Sequence, residues 1–312
     1  MNITFSKVNL WSKNESRAAV FFFSLIFIFV TLFGIFPIGE LILWSFTNRE
    51  LNGEGNFIFL QNYFKIFSGR PFYNVLSQTL IYTLSSVFLK LLIGISLALF
   101  VSKLINHSIG KKMKWFLSIM LIPWAVPTVA SMLIWSWILY DLGGILNSFL
   151  QAIGFTSNNI AWLGSHKIAT VCLITVNVWR GIGFFFVSIL ASILSIPKQR
   201  YFVGWIEGAT SFTIFKSITL PGILPTLLVI TLISLVNTYT DFQIVHILTD
   251  GGPGDSTQIF STMIYEYAFR GGATLGYAAA FAISFIPCLV FLIIMLVGIL
   301  FKSKSANLNE KS

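Results

Sequence analysis

Apolar residues along the chain collect into blocks of roughly 20 to 27 residues separated by short polar stretches, the length needed to cross about 30 Å of hydrocarbon. Six such blocks can be drawn, at about 18–44, 73–101, 115–139, 168–194, 218–248 and 277–301. In lipid every backbone N–H and C=O needs a partner inside the protein, so a spanning segment is either a helix or a strand of a closed barrel. The blocks lack the short apolar/polar alternation of barrel strands, which leaves helices. The pattern predicts an all-α polytopic membrane protein with six transmembrane helices. It forms one membrane domain over 18–302, between polar segments 1–17 and 303–312, the second expected to be mobile. The first block is too long for a signal-peptide core and ends without an A-x-A cleavage pattern, so it is read as a retained span.

Composition agrees: 56% of the 312 residues are hydrophobic and 10% charged, with a mean hydropathy of +0.84. A soluble domain carries about a quarter of its residues as charges. The net charge of +9 would raise nucleic acid as a partner in a soluble protein. Here the cations sit between apolar blocks, so they read as an orientation signal and nucleic-acid binding is excluded. One set of polar segments carries Lys7, Lys13, Arg17, Lys103, Lys111, Lys112, Lys114, Lys198, Arg200, Lys216, Lys302, Lys304 and Lys311. The other set has few cations and most of the acids, including Glu50, Glu54, Asp141, Asp250, Asp255 and Glu266. With six spans the basic set falls on one side, which predicts cytoplasmic termini in a bacterial cytoplasmic (inner) membrane. Cys172 and Cys288 both lie inside apolar blocks and suggest packing rather than a disulfide or a metal site.

The stretch between the fourth and fifth blocks, about 196–217, is the most informative. Pro197 is placed to open a short helix, Gly208 supplies a turn that other residues resist, and Phe212, Phe215 and Leu220 follow as apolar anchors. The expectation is a helix, turn and helix across the membrane face; an interfacial connector is the plainer alternative. With its Ile196-Pro197, its Gly208-Ala209 and its Ile218-Thr219-Leu220-Pro221, this stretch resembles the cytoplasmic E-A-A-x-x-x-G loop of binding-protein-dependent ABC importer permeases. Two further stretches are similar to the carbohydrate, maltose-type branch: Leu248-Thr249-Asp250-Gly251-Gly252-Pro253 and Asn177-Val178-Trp179-Arg180-Gly181. Pro123, Pro127, Trp135, Gly144-Ile145-Leu146-Asn147 and Trp162-Leu163 extend the match over nearly all of the chain from the second block onward.

The resemblance implies that Tyr201, Phe202, Val203, Gly204, Glu207, Gly208, Ala209 and Phe212 form a coupling helix that docks on an ATPase subunit. It departs from the family where Phe202-Val203-Gly204 stands for Glu-Ala-Ala, so the usual carboxylate is missing. Either the partner permease carries the charged contact or docking here is more hydrophobic. The resemblance also implies that Asn177, Gly181, Phe184, Ser234, Asn237, Thr238 and Asp241 line a sugar pocket about halfway across the bilayer. A sugar needs such a mixture: an aromatic face such as Phe184 or Tyr239 for the apolar side of the ring, amides and a carboxylate for its hydroxyls. Polar residues in spans also serve as interhelical glue, and that reading stays open for the set.

Ionisable groups in spans are costly and mark functional candidates. Arg180 is the strongest, either bonding sugar hydroxyls with its rigid fork or pairing structurally with an acid such as Asp241. Lys90 is read as structural, snorkelling or pairing across a subunit boundary, and Glu40 as part of a kinked outer end of the first span; neither is assigned to the substrate. The Gly/Pro-rich turn from Asp250 to Asp255 has too few oxygen ligands for calcium and is read as an outward turn that could contact a binding protein. His107, His166 and His246 are scattered, so no metal and no cofactor is expected.

The chain contains no G-x-x-x-x-G-K-[ST] phosphate loop, so ATP hydrolysis is assigned to a separate subunit and the chain is read as a non-catalytic transport subunit. The implied assembly is a heterodimer with a second permease, two ATPase copies and an extracytoplasmic sugar-binding protein, moving a di- or oligosaccharide of maltose or trehalose type. Other solutes such as glycerol phosphate stay open, although Asp241 in the pocket argues against an anion. An ion-coupled secondary transporter would bury several carboxylates and show paired broken helices. A membrane enzyme would need a nucleophile with a base, or metal ligands, in the spans, and none is seen.

Overall fold

The computed structural model describes residues 13–51, 53–105, 110–270 and 274–309. Lys7, His107 and Lys311 lie outside the described residues, as do the side chains of Lys13, Arg17, Lys111, Lys112, Lys114, Lys302 and Lys304. The chain folds into α1 (Lys13–Val30), α2 (Phe36–Ser45), α3 (Gln61–Ser68), α4 (Arg70–Ile105), α5 (Gly110–Ala125), α6 (Thr128–Ile138) and α7 (Ile145–Ala152). There follow α8 (His166–Leu194), α9 (Lys198–Ile206), α10 (Ser211–Ile214), α11 (Leu220–Tyr239), α12 (Gln243–Leu248), α13 (Phe260–Tyr265) and α14 (Leu275–Asn309). Among the described residues the only β-type pairing is a single bridge between Thr47 and Phe57.

Five helical stretches are long and apolar enough to cross a membrane: Ala19–Ser45, Arg70–Leu104, His166–Leu194, Ser211–Tyr239 and Leu275–Gly298. The remaining apolar block is not the straight span expected at 115–139. It is split into Trp115–Ala125 and Thr128–Ile138, bent by 92°. Pro123 removes a backbone donor inside α5, and Pro127 pushes Val126 out of the helical region before α6 restarts. A second expectation is also corrected. The block at 218–248 stays helical only to Tyr239, the chain opens at 240–242, and α12 begins at Gln243. Asp241 supplies the restart, its Oδ1 accepting the Ile244 N–H at 3.4 Å. Beyond the last apolar block, α14 continues as far as Asn309.

α4 and α8 pack along each other with α11 against both, α5 lies on α8, and α14 closes against α2 and α11. Gly183 explains the α5 contact: a Cβ there would stand within 1.8 Å of the Met120 carbonyl oxygen. Small residues let helices approach to backbone contact in lipid, where no hydrophobic force drives them together. A core of Ala98, Phe185, Phe186, Ile189, Ile223 and Leu227 joins α4, α8 and α11, and Tyr201, Ile218 and Leu220 of the 196–220 region pack against it. The first span differs. Its apolar side chains, Phe21, Phe23, Phe27 and Phe33 among them, are exposed all round. Pro37 cannot bond back to Phe33, and the turn before it widens into a π helix at Thr31–Ile35; Glu40 sits half-buried just beyond.

Candidate functional site

The two broken segments face one cavity of about 510 Å³. Irregular backbone at membrane depth is tolerated where it lines a cavity or is buried in protein, so the breaks and the cavity have one explanation. α8 contributes Asn177, Arg180, Gly181 and Phe184, spaced i, i+3, i+4 and i+7 and therefore on one face. The α11 side repeats the spacing with Ser234, Asn237, Thr238 and Asp241, the last just past the helix end. α4 adds Lys90, the first break adds Trp124 and Thr128, and the second adds Phe242 and Gln243.

Within the wall the polar groups are tied to one another. The Tyr82 hydroxyl donates to Asp241 Oδ2 at 2.7 Å. Asn177 Nδ2 donates to the Tyr82 oxygen at 2.8 Å and to Asp241 Oδ2 at 3.1 Å. Ser261 Oγ donates to the Asp241 carbonyl. Lys90 Nζ donates to Ser234 Oγ at 3.3 Å and to Thr238 Oγ1 at 3.2 Å. Trp124 and Phe184 stack with their ring centres 5.8 Å apart and their planes 18° off parallel, forming an aromatic wall.

Asn177, Arg180, Gly181, Phe184, Ser234, Asn237, Thr238 and Asp241, expected to line a pocket, therefore border the same space. Among the described residues Arg180 makes no direct ion-pair contact with Asp241 or any other acid, and its buried Nε has no hydrogen-bond partner, although its charge reaches Asp241 across the cavity wall. Asn177 Oδ1 is likewise buried and unpartnered. Tyr239 is not an aromatic face of the cavity; it is buried, and its hydroxyl donates to the Phe285 carbonyl at 2.9 Å.

Lys90 was assigned no place at the site, yet it borders the cavity at 4% exposure, and Tyr82 behind it went unnoticed. A signal existed. Thr79, Thr83, Ser86 and Lys90 recur at i, i+4, i+7 and i+11 along one face of α4, and all are buried. The aromatic partner Trp124 had no comparable signal, because a bend between two prolines decides where it points.

At the other end of the core, Pro197 precedes α9, Gly208 turns the chain at φ +72°, and Thr210 caps α10 by accepting the Thr213 N–H at 3.3 Å. Phe202, Val203, Glu207, Gly208 and Phe212 are exposed, as are Trp205 and Ile206, which the sequence reading left out. Tyr201 is half-buried, with its hydroxyl 3.2 Å from Thr219 Oγ1, and Ala209 is half-buried too. Gly204 differs from its neighbours. It is buried, and a Cβ there would press on Ile218 Cδ1 at 3.2 Å, so it seats α9 on the bundle. Beside α9 an apolar cavity of about 600 Å³ runs between Leu99, Ile193, Tyr201, Trp205 and Phe215.

The 250–255 turn is held from outside it. Asp250 lies 2.5 Å from Arg270 Nη1 and 2.6 Å from His246 Nδ1, and Arg270 is 3.8 Å from Glu266. Partial burial works against the Asp250 charge, but Arg270 and His246 hold its carboxyl below the usual carboxylate range. Among the described residues no group of three or more His, Cys, Asp or Glu side chains is placed to hold a metal ion.

No family model matches the chain. It is 31% identical over 293 residues to the trehalose/maltose transport system permease protein MalF of Thermococcus litoralis, covering 92% of this chain and 96% of the relative. It is 29% identical over 259 residues to the sulfoquinovosyl glycerol transport system permease protein SmoG of Agrobacterium fabrum, covering 82% and 81%. Its fold matches a chain in the crystal structure of a bacterial ABC transporter involved in the import of the acidic polysaccharide alginate, with a TM-score of 0.76, 23% identity and coverage of 94% and 98%. The chain belongs to the permease family of ATP-binding-cassette importers, in its carbohydrate branch. As a member it is a transport component of a membrane-embedded importer.

Proposed function

We propose that this chain forms half of the translocation pathway for a di- or oligosaccharide in a bacterial inner-membrane importer, with the cavity between α8 and α11 as the sugar site. The observation that carries the reading is the matched pair of polar stripes, Asn177–Phe184 and Ser234–Asp241, facing each other across a space beside the Trp124/Phe184 stack. Aromatic faces take the apolar side of a sugar ring, and amides, hydroxyls and a carboxylate take its hydroxyls.

In this reading the permease domain spans 18–302 with six crossings, the bent α5/α6 pair counting as one, and both termini are cytoplasmic. A second permease completes the cavity, two ATPase subunits hydrolyse ATP, and an extracytoplasmic binding protein delivers the sugar. The α9–α10 loop is the grip for one ATPase. Its exposed Phe202, Trp205, Ile206 and Phe212 support docking through apolar contact where the family uses a glutamate. Closure of the ATPase dimer moves α9, and the core packed under Tyr201 carries that movement to Phe185 at the cavity wall. The cavity then alternates between outward and inward access.

The test is reconstitution of the whole assembly in vesicles. Uptake of a labelled di- or oligosaccharide should require ATP, the binding protein and both permeases. Uptake by this chain without an ATPase, or labelling that places 196–217 outside the cell, overturns the reading.

A further inference from the structure

We propose that the sugar taken by this cavity carries an acidic group, and that Arg180, aided by Lys90, holds it. The proposal rests on the sugar-site reading above and adds the charge of the substrate. Three ionisable side chains border the cavity: Lys90, Arg180 and Asp241. By formal charge the cations exceed the acid, and the acid is already engaged. Its oxygens accept from Tyr82, from Asn177 and from the Ile244 N–H, so the protein's own donors use most of a carboxylate's capacity. Asp241 therefore gives little reason to refuse an anion, contrary to the expectation from sequence.

The cations are in the opposite condition. Lys90 spends two of its three donors on Ser234 and Thr238, leaving one. Arg180 has no protein partner for any of its N–H groups among the described residues, and its Nε is buried without one. An unpaired cation at membrane depth is costly, and a guanidinium left open on a cavity wall invites a group that can take its planar fork in two parallel bonds. Carboxylate, phosphate and sulfo groups all do so, whereas a hydroxyl takes a single donor. The Trp124/Phe184 stack stands beside Arg180 to hold the ring that bears such a group.

The experiment uses the complete importer with its cognate binding protein in vesicles. Uptake is measured for labelled maltose, a labelled uronate disaccharide and a labelled disaccharide phosphate. The expected result is import of at least one acidic sugar at a rate about tenfold or more above maltose, the scale of one charge-assisted hydrogen bond. Arg180→Gln should raise the KM for that sugar about tenfold and leave assembly by gel filtration unchanged, because Arg180 makes no bond within the chain that the change would break. Arg180→Lys should recover part of the loss. The uronate and phosphate arms tell which acid is bound. Import of maltose alone, or an Arg180→Gln effect equal for acidic and neutral sugars, overturns the charge inference and leaves the sugar site standing. Import of no sugar, neutral or acidic, overturns both.

Discussion

The central cavity and the α9–α10 loop are built on opposite plans. In the cavity Tyr82, Asn177, Asp241 and Lys90 are buried or nearly so and bonded to fixed neighbours. On the loop Phe202, Trp205, Ile206 and Phe212 are exposed, Phe202 and Trp205 touching edge to face, and the order lies in the backbone, in the Pro197 start and the Gly208 turn. A small polar solute has to be met by groups already in position, because each unsatisfied donor or acceptor costs free energy once water is gone. A protein partner brings its own surface, so the loop needs shape and apolar area more than fixed polar directions.

The contrast makes graded demands. The largest effect should follow Asp241→Ala, which leaves the Tyr82 hydroxyl and the Asn177 amide buried without their shared acceptor, a loss of about 3 kcal/mol. Thermal unfolding in detergent measures it, and an unchanged melting temperature would mean the network is dispensable. On the loop, Phe202→Ala combined with Trp205→Ala should leave the melting temperature alone, since both side chains are exposed. Capture of the ATPase should weaken by about 2 kcal/mol, roughly thirtyfold in dissociation constant, as for the removal of one interface anchor. Should the double variant unfold early instead, the loop belongs with the cavity and the contrast collapses.

Gly208→Val comes next. At φ +72° a β-branched residue is strained by about 1–2 kcal/mol, so the turn should distort while the helices stay packed. Uptake should fall with hydrolysis and assembly retained, which parallel transport and ATPase assays resolve. The smallest effect concerns the 250–255 turn. The Asp250 carboxyl is held below its unfolded range, so its contribution is present at neutral pH and fades as pH falls through the folded value. Hydrogen exchange over 249–270, corrected for intrinsic rates, should quicken in acid, and Asp250→Asn should remove that dependence.

How much of this was legible in the sequence follows from the same physics. The long apolar blocks announced helices because lipid permits little else, and the 196–220 stretch announced a turn because Pro197 and Gly208 restrict the backbone locally. The breaks were not legible, because a proline within an apolar block need not break it: Pro225 and Pro287 lie inside α11 and α14, while the block with Pro123 and Pro127 is bent by 92°. Broken helices had been counted as a mark of ion-coupled transport. Their presence in an ABC permease shows that the device follows from lining a polar space in lipid, whatever supplies the energy. The direction in which Lys90 reaches was hidden for a related reason. A lysine in a span can reach for the interface or stay inward, and only the hydroxyls of Ser234 and Thr238, far off in sequence, decide between them.

Gly183 has a mechanical consequence. With α5 seated against α8 at backbone contact, the ring of Trp124 is anchored to the helix that presents Asn177 and Arg180. Tyr82 and Lys90 likewise pin α4 to the acid and hydroxyls beside α11. The walls that this chain gives the cavity are thus tied into one unit; in the proposed assembly, the seam that parts to admit and release cargo lies between this chain and the second permease.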